Sequence, residues 1–269
     1  MLRIGVVGAG GRMGREVCRA VAAEAGLVLA AAVDVGYAGQ PLQALVGDAG
    51  GDLRVEADVG SLGDAGVEVV VDFTVAAAFR AAVPRYVELG VHAVVGTTGI
   101  EPEELVEAGS AFAAAGLGLL VAANFAIGAV LMMRFAELAA PYMAGADIVE
   151  LHHDAKLDAP SGTAMQTAHR MADARRRAHL QQWPADRTAT EAIAGSRGGA
   201  GPGGVRVHAV RLPGLVAHQQ VVLGAVGQSL TIRHDAYDRT SFMPGVLLAV
   251  RAVGRRPGLT TGLDDLLGL

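Results

Sequence analysis

Residues 2–14 read LRIGVVGAGGRMG, a short apolar run that passes directly into a glycine-rich turn. The run Leu2–Val7 predicts a buried strand, and a helix is expected from about Arg12 to Ala23. Glycines at positions 8, 11 and 14 hold a G-x-x-G-x-x-G spacing, because Met13 stands where the commoner G-x-G-x-x-G would end. A strand, a tight glycine turn and a helix N-terminus together form a cradle for the pyrophosphate of a dinucleotide.

A second apolar strand, Leu27–Val33, ends at Asp34, which lies 20 residues after Gly14. That position is typical of the carboxylate that binds the adenosine ribose. We therefore expect a dinucleotide site at Asp34 and the loop before it: Gly8, Ala9, Gly10, Gly11, Arg12, Met13 and Gly14. Val35 follows the acid, and no arginine stands beside it to pair with the 2′-phosphate of NADPH, so the sequence favours NADH. Arg12 could reach a phosphate, so use of both cofactors remains an alternative.

Short apolar strands continue to alternate with helical segments up to residue 125, which predicts an α/β, Rossmann-like, doubly wound parallel sheet. Residues 36–66 are rich in Gly and Asp and are expected to form loops. Ligands of such sheets bind at the carboxyl ends of the strands. Those ends carry polar or small residues at 72–74, 96–99 and 122–125. A C-terminal helix over about 242–253 is expected to rejoin this domain, which then comprises 1–125 and 235–269.

Residues 126–234 are expected to form a second, α+β domain. Strands are predicted at about 147–151, 205–210, 218–226 and 229–233, joined by short turns that favour a mixed or antiparallel sheet. The glycine-rich stretch 182–204 predicts a long mobile or active-site loop.

Charge and composition exclude several classes of protein. The net charge is −5 and the 22 basic residues are scattered, which argues against a nucleic-acid partner. The single cysteine, Cys18, permits no internal disulfide and fits the reducing cytoplasm. Residues 108–133 carry no charge and could span a bilayer. Glycines and Asn124 interrupt them, so burial inside the protein is favoured and no membrane partner is expected.

The stretch 150–164, ELHHDAKLDAPSGTA, concentrates proton-bearing side chains. Lys156 is the only lysine in the chain, and an ammonium can release a proton whereas a guanidinium cannot. Survival of one lysine by chance on a surface loop is the alternative. If a strand ran through both His152 and His153, only one could face a pocket. Zinc is not expected, since no further Cys or His stands at ligand spacing.

Ser161, Gly162 and Thr163 precede a predicted helix and offer hydroxyl and N–H groups to an anion. Ser161 is equally suited to cap that helix, and the two roles are compatible. The stretch resembles the signature E-x-H-x-x-x-K-x-D-x-P-S-G-T-A of the 4-hydroxy-tetrahydrodipicolinate reductase (dihydrodipicolinate reductase) family. The resemblance extends over nearly the whole chain, through the glycine loop and the segments 72–74, 96–99 and 122–125.

The resemblance implies an NAD(P)H-dependent oxidoreductase of lysine and diaminopimelate biosynthesis that reduces a cyclic dicarboxylate. It also implies a homotetramer assembled through the second domain's sheet. Carried over by position, His152 and Lys156 are the proton donors. His153, Gly162 and Thr163 would hold the substrate carboxylates. The residues expected to line the nicotinamide are Phe73, Thr74, Gly96, Thr97, Thr98, Ala122, Ala123, Asn124 and Phe125.

The chain departs from the family pattern at two positions. Many members carry a histidine where Ala155 stands, so any help from that side chain in proton supply is absent. Members that favour NADPH often have a basic residue in place of Val35. Two alternatives remain open: another Rossmann dehydrogenase acting on a small dicarboxylate or amino acid, and a non-catalytic NAD-sensing module. The sensing module would leave the stretch 150–164 without a role.

Overall fold

The computed structural model describes all of residues 1–269 and contains twelve β-strands. In chain order they are β1 (Leu2–Val7), β2 (Leu27–Val33), β3 (Val55–Glu56), β4 (Val69–Asp72), β5 (His92–Val95), β6 (Gly118–Val121), β7 (Gly145–His152), β8 (Gly199–Ala200), β9 (Arg206–Arg211), β10 (Ala217–Ala225), β11 (Gln228–Ala236) and β12 (Gly258–Thr261).

Nine α-helices alternate with these strands, and three of the helices span only four residues. They are α1 (Arg12–Ala23), α2 (Gln43–Val46), α3 (Ser61–Asp64), α4 (Ala76–Glu88), α5 (Pro102–Ala114), α6 (Ile127–Ala139), α7 (Gly162–Arg177), α8 (Met243–Val253) and α9 (Asp264–Leu267). The uncharged stretch 108–133 is divided among α5, β6 and α6. None of the helices combines the length and the apolar character that crossing a membrane requires.

The chain divides into two compact units: unit 1 is Met1–Phe125 with Phe242–Leu269, and unit 2 is Ala126–Ser241. Unit 1 contains a seven-stranded sheet of order β12-β6-β5-β4-β1-β2-β3, in which every pair is parallel. The prediction of a Rossmann-like parallel sheet is thereby confirmed. The strand order reverses between β1 and β4, so a ligand crevice is expected beyond the carboxyl ends of those two strands.

The strands of unit 1 lack the alternation of apolar and polar residues that is typical of strands with one exposed face, because both faces of the sheet are covered. All four residues of β4 are buried, as a parallel sheet covered on both faces requires. Helices α4 and α5 cover one face, where Phe79 and Phe112 enter the apolar core. Helix α8 packs beside α1 and against β5 and β6.

Unit 2 is built on a mixed five-stranded sheet of order β11-β10-β7-β9-β8. Strands β7 and β9 run parallel, and the other neighbours are antiparallel, which confirms the predicted mixed sheet. Along β7 the buried residues alternate and include Ile148 and Glu150. Helices α6 and α7 pack on each other and against this sheet, so Glu150 is buried on a covered face.

The structure differs from the sequence expectations at several short elements. Residues 36–66 contain α2, β3 and α3, each too short to carry a periodic pattern. Strand β12 was not predicted, and it adds a seventh strand beside β6. The chain returns to unit 1 at Phe242 rather than at residue 235, because β11 continues to Ala236 and pairs with β10.

The stretch 182–204 is fastened to unit 2 near both of its ends. Trp183 is only 4% exposed, and its Nε1 donates to the Met143 carbonyl over 2.9 Å. The guanidinium of Arg175 lies 4.5 Å from the centre of the Trp183 ring. Near the other end, Arg197 pairs with Asp147 at 3.0 Å.

Candidate active site

The glycine turn after β1 brings the start of α1 against the turn itself. Gly8 has a φ of +80°, a conformation that favours glycine, and its carbonyl accepts a hydrogen bond from Gly11 N over 3.0 Å. A Cβ on Gly14 would lie 2.0 Å from the Gly8 oxygen, so no larger residue fits there. Gly8, Gly11 and Gly14 thus form one tight turn against the start of α1, as the G-x-x-G-x-x-G spacing predicted.

The N-terminus of α1 has the properties of an anion site. Gly11 is its N-cap, no side chain caps the helix, and no acidic residue occupies the first turn. The first N–H groups of such a helix are left for a ligand, and the helix dipole favours a negative one. Arg12, the first helical residue, is exposed, whereas Ala9, Gly10 and Gly14 are buried. These residues therefore fit the pyrophosphate of a nicotinamide dinucleotide.

Asp34 is held by the backbone on both sides of its carboxylate. Its Oδ2 accepts from Gly10 N and its Oδ1 from Gly36 N, each over 2.9 Å. These bonds fix the carboxylate beside the glycine turn, where the ribose of a dinucleotide would lie.

Two side chains that the sequence did not single out border this loop. The Tyr37 ring covers Gly10 so closely that a Cβ there would lie 2.0 Å from it. The Arg15 guanidinium lies 5.3 Å from the centre of the Tyr37 ring, and its Nε donates to the Gly10 carbonyl over 2.8 Å. The contact joins α1 to the loop after β2, and residue spacing alone does not reveal it.

The glycine loop and the three segments expected to line the nicotinamide converge on Phe73. A Cβ on Gly8 would lie 2.8 Å from the Phe73 carbonyl oxygen, and one on Gly96 would lie 2.0 Å from the Phe73 ring. The Phe73 and Phe125 rings lie 5.6 Å apart in a tilted arrangement. The carboxyl ends of β1, β4, β5 and β6 are therefore brought to one place.

The residues expected to line the nicotinamide differ in their exposure to solvent. Thr98 and Ala123 are exposed, and Phe73, Thr74, Gly96 and Asn124 are partly buried. Thr97, Ala122 and Phe125 are buried, which suits them to shaping the loops.

Asp72 is a buried carboxylate that ties two of these loops together. Its Oδ1 accepts from Thr74 N at 2.9 Å, from Thr74 Oγ1 at 2.7 Å and from Thr97 Oγ1 at 3.4 Å. Its Oδ2 accepts from the Tyr86 hydroxyl at 2.9 Å. Burial, followed by the negative charge of Asp72, raises the pKa of Tyr86 well above its ordinary value, so the hydroxyl stays a donor. Tyr86 was not foreseen from the sequence.

In unit 2, strand β7 ends at His152 and leaves His153 in the following loop. The two histidines are therefore not constrained to opposite faces of one strand. His152 shares its strand face with Glu150, and its Nδ1 lies 2.6 Å from Glu150 Oε2. His153 is partly buried, and its carbonyl accepts from Lys156 N over 3.2 Å.

Glu150 is fully buried and lies at the centre of this site. Arg211, opposite His152 on β9, donates from Nη1 to Oε2 and from Nη2 to Oε1, each over 2.7 Å. Ser161 N donates to Oε1 over 3.0 Å. Burial pushes the pKa of Glu150 upward, but the hydrogen bonds from Arg211 and His152 outweigh it and hold the pKa below its ordinary value. Glu150 therefore stays ionised.

Lys156 and His152 are close enough to influence each other. Burial lowers the pKa of His152, the hydrogen bond and charge of Glu150 oppose this, and the charges of Lys156 and Arg211 reinforce it. The side chain of Lys156 is 19% exposed, and its Nζ lies 2.7 Å from Asp158 Oδ1. Asp158 is largely exposed, so water screens this pair. No group of three or more His, Cys, Asp or Glu side chains is arranged to hold a metal ion.

The three predicted anion-binding residues at the N-terminus of α7 are suited to different roles. Ser161 is buried, and its Oγ caps the helix by accepting from Ala164 N over 3.2 Å. Since its own N–H donates to Glu150, Ser161 mainly fixes the helix end. Gly162 is exposed, and a Cβ there would meet nothing within 4 Å. Thr163 follows it in a first turn that lacks acidic residues. Gly162 and Thr163 are thus the residues suited to a carboxylate.

The chain is similar to known proteins over its full length. Residues 2–125 match the family described as "Dihydrodipicolinate reductase, N-terminus", and residues 128–267 match "Dihydrodipicolinate reductase, C-terminus". A 4-hydroxy-tetrahydrodipicolinate reductase of Nocardia farcinica is 49% identical over 100% of this chain and 99% of that protein. The same-named protein of Listeria monocytogenes is 46% identical over 99% of this chain and 100% of that protein.

A solved structure adds to these sequence matches. The dipicolinate-bound dihydrodipicolinate reductase from Paenisporosarcina sp. TG-14 superposes with a TM-score of 0.84 and 37% identity, covering 98% of this chain and 99% of that one. Both units take part in these similarities, and the resemblance carried by the glycine loop and by residues 150–164 is confirmed. The chain belongs to the dihydrodipicolinate reductase family.

Proposed function

We propose that the chain reduces 4-hydroxy-tetrahydrodipicolinate to tetrahydrodipicolinate with NAD(P)H, in the diaminopimelate route to lysine. Family membership across both units supports this reaction, and the dipicolinate in the solved relative supports a cyclic dicarboxylate substrate. The net change adds one hydride and one proton and releases the hydroxyl as water. The observation that supports the proposal is the buried Glu150 network, which joins His152 to the N-terminus of α7, with Lys156 close enough to act electrostatically on His152.

Unit 1 supplies the cofactor site. When bound, the nicotinamide cofactor supplies the hydride. The N–H groups at the start of α1 bind the pyrophosphate, and Asp34 binds the adenosine ribose. Phe73, Thr74, Gly96 and the exposed members of the loops after β5 and β6 line the nicotinamide.

Unit 2 supplies the substrate site. The N–H groups of Gly162 and Thr163 bind one substrate carboxylate at the N-terminus of α7, and His153 contributes to carboxylate binding. Ser161 holds that helix end in place. Fixing the ring in this way replaces a random encounter by an oriented one.

Lys156 and His152 deliver the proton. Lys156 is held by an exposed carboxylate, so an arriving dicarboxylate can replace Asp158 at little cost. The ammonium is then free to protonate the substrate as the hydride arrives. His152, beside it, is the second proton-bearing group.

The test is a steady-state assay on freshly generated substrate, comparing wild type with Lys156→Ala and Lys156→Arg. The alanine variant is expected to lose about 10²–10⁴-fold in kcat, the usual contribution of a general acid, with cofactor affinity unchanged. The arginine variant keeps the positive charge but cannot release its proton, so its kcat should stay low while its substrate KM recovers. Full activity in either variant would remove Lys156 from proton delivery. Absence of cofactor oxidation by wild type would overturn the reductase function.

NADH is the proposed preferred cofactor. The Asp34 carboxylate repels a 2′-phosphate, and Val35, 83% exposed, offers it no cation. Arg12 and Arg15 are the nearby cations that would allow NADPH to be used as well. Val35→Arg is expected to raise kcat/KM for NADPH relative to NADH. A wild-type enzyme that uses NADPH better than NADH would contradict this preference.

The enzyme is further proposed to be a cytoplasmic homotetramer joined through the sheet of unit 2. Leu230 on β11 and Val226 in the turn before it are exposed apolar side chains, 41% and 99% accessible, that suit contact with another copy. Cys18 is buried and forms no disulfide, which is compatible with a reducing compartment. Sedimentation at assay concentration should give the mass of four chains, and a stable monomer would contradict the assembly.

A further inference from the structure

One buried carboxylate connects the two parts of the proposed substrate site. Glu150 Oε2 contacts His152 Nδ1, and Glu150 Oε1 accepts from the N–H of Ser161, the N-cap of α7. Glu150 lies on β7, whereas Ser161 lies 11 residues further along, after the loop that carries Lys156. The carboxylate therefore joins the strand with the proton-bearing histidine to the helix that receives the substrate carboxylate.

We propose that Glu150 is a positioning residue that holds the His152 ring and the N-terminus of α7 in fixed relation, with Arg211 clamping the carboxylate. The inference rests on the proposed function, because it assigns a shared support to two of its components. Glu150 is fully buried, so it acts on the substrate only through the groups that it holds.

The hydrogen bonds define what Glu150 does to His152. An ionised carboxylate only accepts hydrogen bonds, so the Nδ1 atom of His152 must carry the proton that faces Oε2. This fixes the tautomer and the orientation of the ring, and leaves Nε2 as the nitrogen that can face the substrate.

Arg211 fixes Glu150 from the neighbouring strand. Its two Nη atoms bind both carboxylate oxygens, a planar arrangement that a lysine cannot reproduce. Nη2 also donates to the carbonyl of Asp158 over 2.9 Å. The loop that carries Lys156 is therefore attached to the same arginine that holds Glu150.

Three charged groups act on His152, and they come from different elements. Glu150 on β7 raises its pKa, whereas Lys156 in the loop and Arg211 on β9 lower it. From β10, the residue opposite His152 is the uncharged Ala217. The next residue of β10, His218, is paired with Asp235. Removing the charge of Glu150 therefore has a defined sign: the pKa of His152 must fall.

The test uses the full-length Glu150→Gln variant, with two measurements. NMR titration of the His152 ring, assigned with a His152→Asn variant, should show a lower pKa than in wild type. Steady-state kinetics should show kcat reduced about 10- to 100-fold, less than complete loss of a general acid, and a raised substrate KM. The KM for NADH should not change, because the hydrogen-bond partners of Glu150, which are His152, Ser161 and Arg211, all belong to unit 2.

The chain offers a matched control in the same sheet. His218 Nδ1 lies 2.8 Å from Asp235 Oδ1, and Arg233 donates to both oxygens of Asp235. Asp235→Asn removes a carboxylate from an equivalent histidine–arginine arrangement. It is expected to leave the His152 titration and the substrate KM unchanged.

Arg211→Lys and Arg211→Gln complete the comparison. The lysine variant keeps the charge but loses the two-pronged geometry, so it should recover only part of the kcat that the glutamine variant loses. An unshifted His152 titration in Glu150→Gln, or equal rises in KM for substrate and NADH, would overturn the positioning role. The titration needs no turnover, so it decides the role of Glu150 even if wild type fails to reduce the proposed substrate.

Discussion

Lys156 carries the only side-chain amine in the chain, which makes it chemically addressable. An amine-acylating reagent can modify only Lys156 and the N-terminus. We expect dipicolinate to slow the labelling of Lys156, because the proposed substrate site lies at the N-terminus of α7. We expect Asp158→Asn to speed labelling, because it removes the carboxylate 2.7 Å from Nζ.

Peptide mass spectrometry measures both rates, and the N-terminal amine serves as an internal control. A labelling rate that does not respond to saturating dipicolinate would place Lys156 outside the substrate site.

Gly14 shows how a steric contact can outweigh helix propensity. It lies inside α1, where alanine is ordinarily better than glycine by about 1 kcal/mol. A Cβ at Gly14 would nevertheless lie 2.0 Å from the Gly8 carbonyl oxygen, and backbone atoms cannot rotate away. Gly14→Ala is therefore expected to open the turn and weaken NADH binding by at least about tenfold, since the pyrophosphate needs that close approach.

Fluorescence titration with NADH measures this effect. Gly145→Ala is the control, because a Cβ at Gly145 meets nothing within 4 Å. Equal NADH affinity in the Gly14 variant would show that the turn tolerates the extra atom.

At the level of elements, the Asp72 cluster couples helix α4 to the loops after β4 and β5. Tyr86→Phe removes one hydrogen bond from a buried carboxylate and leaves the ring in place. Hydrogen bonds to charged groups contribute about 1.5–3 kcal/mol, so the free energy of unfolding should fall by about that amount. The NADH KM should rise as well, because Thr74 and Thr97 share the carboxylate.

Urea unfolding and steady-state kinetics check the two effects. Tyr142→Phe provides the control, because Tyr142 is 84% exposed. A Tyr86→Phe variant as stable as wild type would mean that Asp72 finds a replacement donor.

The elements also show which features the sequence encodes locally. The bounds of β1, α1 and β2 follow from apolar runs interrupted by glycine, and these signals lie within the segments themselves. Strand β12 has only four residues and starts at a glycine, so it carries no periodic signal. Its place in the sheet is set by pairing with β6, a long-range contact.

The candidate site follows the same rule. His152, Lys156 and Gly162 stand within one short stretch, so their association is visible in the sequence. Arg211 reaches Glu150 across 61 positions, and Tyr86 reaches Asp72 across 14, so only the fold reveals these partners. Ser161 could be read as cap or ligand, and its burial favours the cap.

The whole molecule should lose stability as the pH falls below neutrality. Burial lowers the pKa of His92, His152 and His234, so in the folded state these residues bind a proton only at a lower pH than a free histidine does. An unfolded histidine titrates at about 6.5, so the unfolded chain takes up protons at a higher pH than the folded one. Their contribution is therefore complete above about pH 6.5 and is lost as the pH falls toward the folded values. Glu150 adds a loss at lower pH, since its folded pKa is also depressed.

The urea midpoint should therefore drop between about pH 7.5 and pH 5.5. His92→Gln should reduce the drop, because the Nδ1 of His92 accepts from Gly118 N and must stay unprotonated to do so. A midpoint that is constant over this interval would contradict the lowered pKa of these histidines.

The edge position of β12 has a consequence for how the chain acquires its shape during synthesis. Unit 2 is one continuous stretch, whereas unit 1 is completed only when residues 242–269 have left the ribosome. Until then β6 is an unpaired edge, a template for wrong pairing. Nascent chains thus have unit 2 available to fold before unit 1 can complete its sheet. Termination of the chain before β12 would therefore leave unit 2 intact and leave the edge of β6 in unit 1 exposed to wrong pairing.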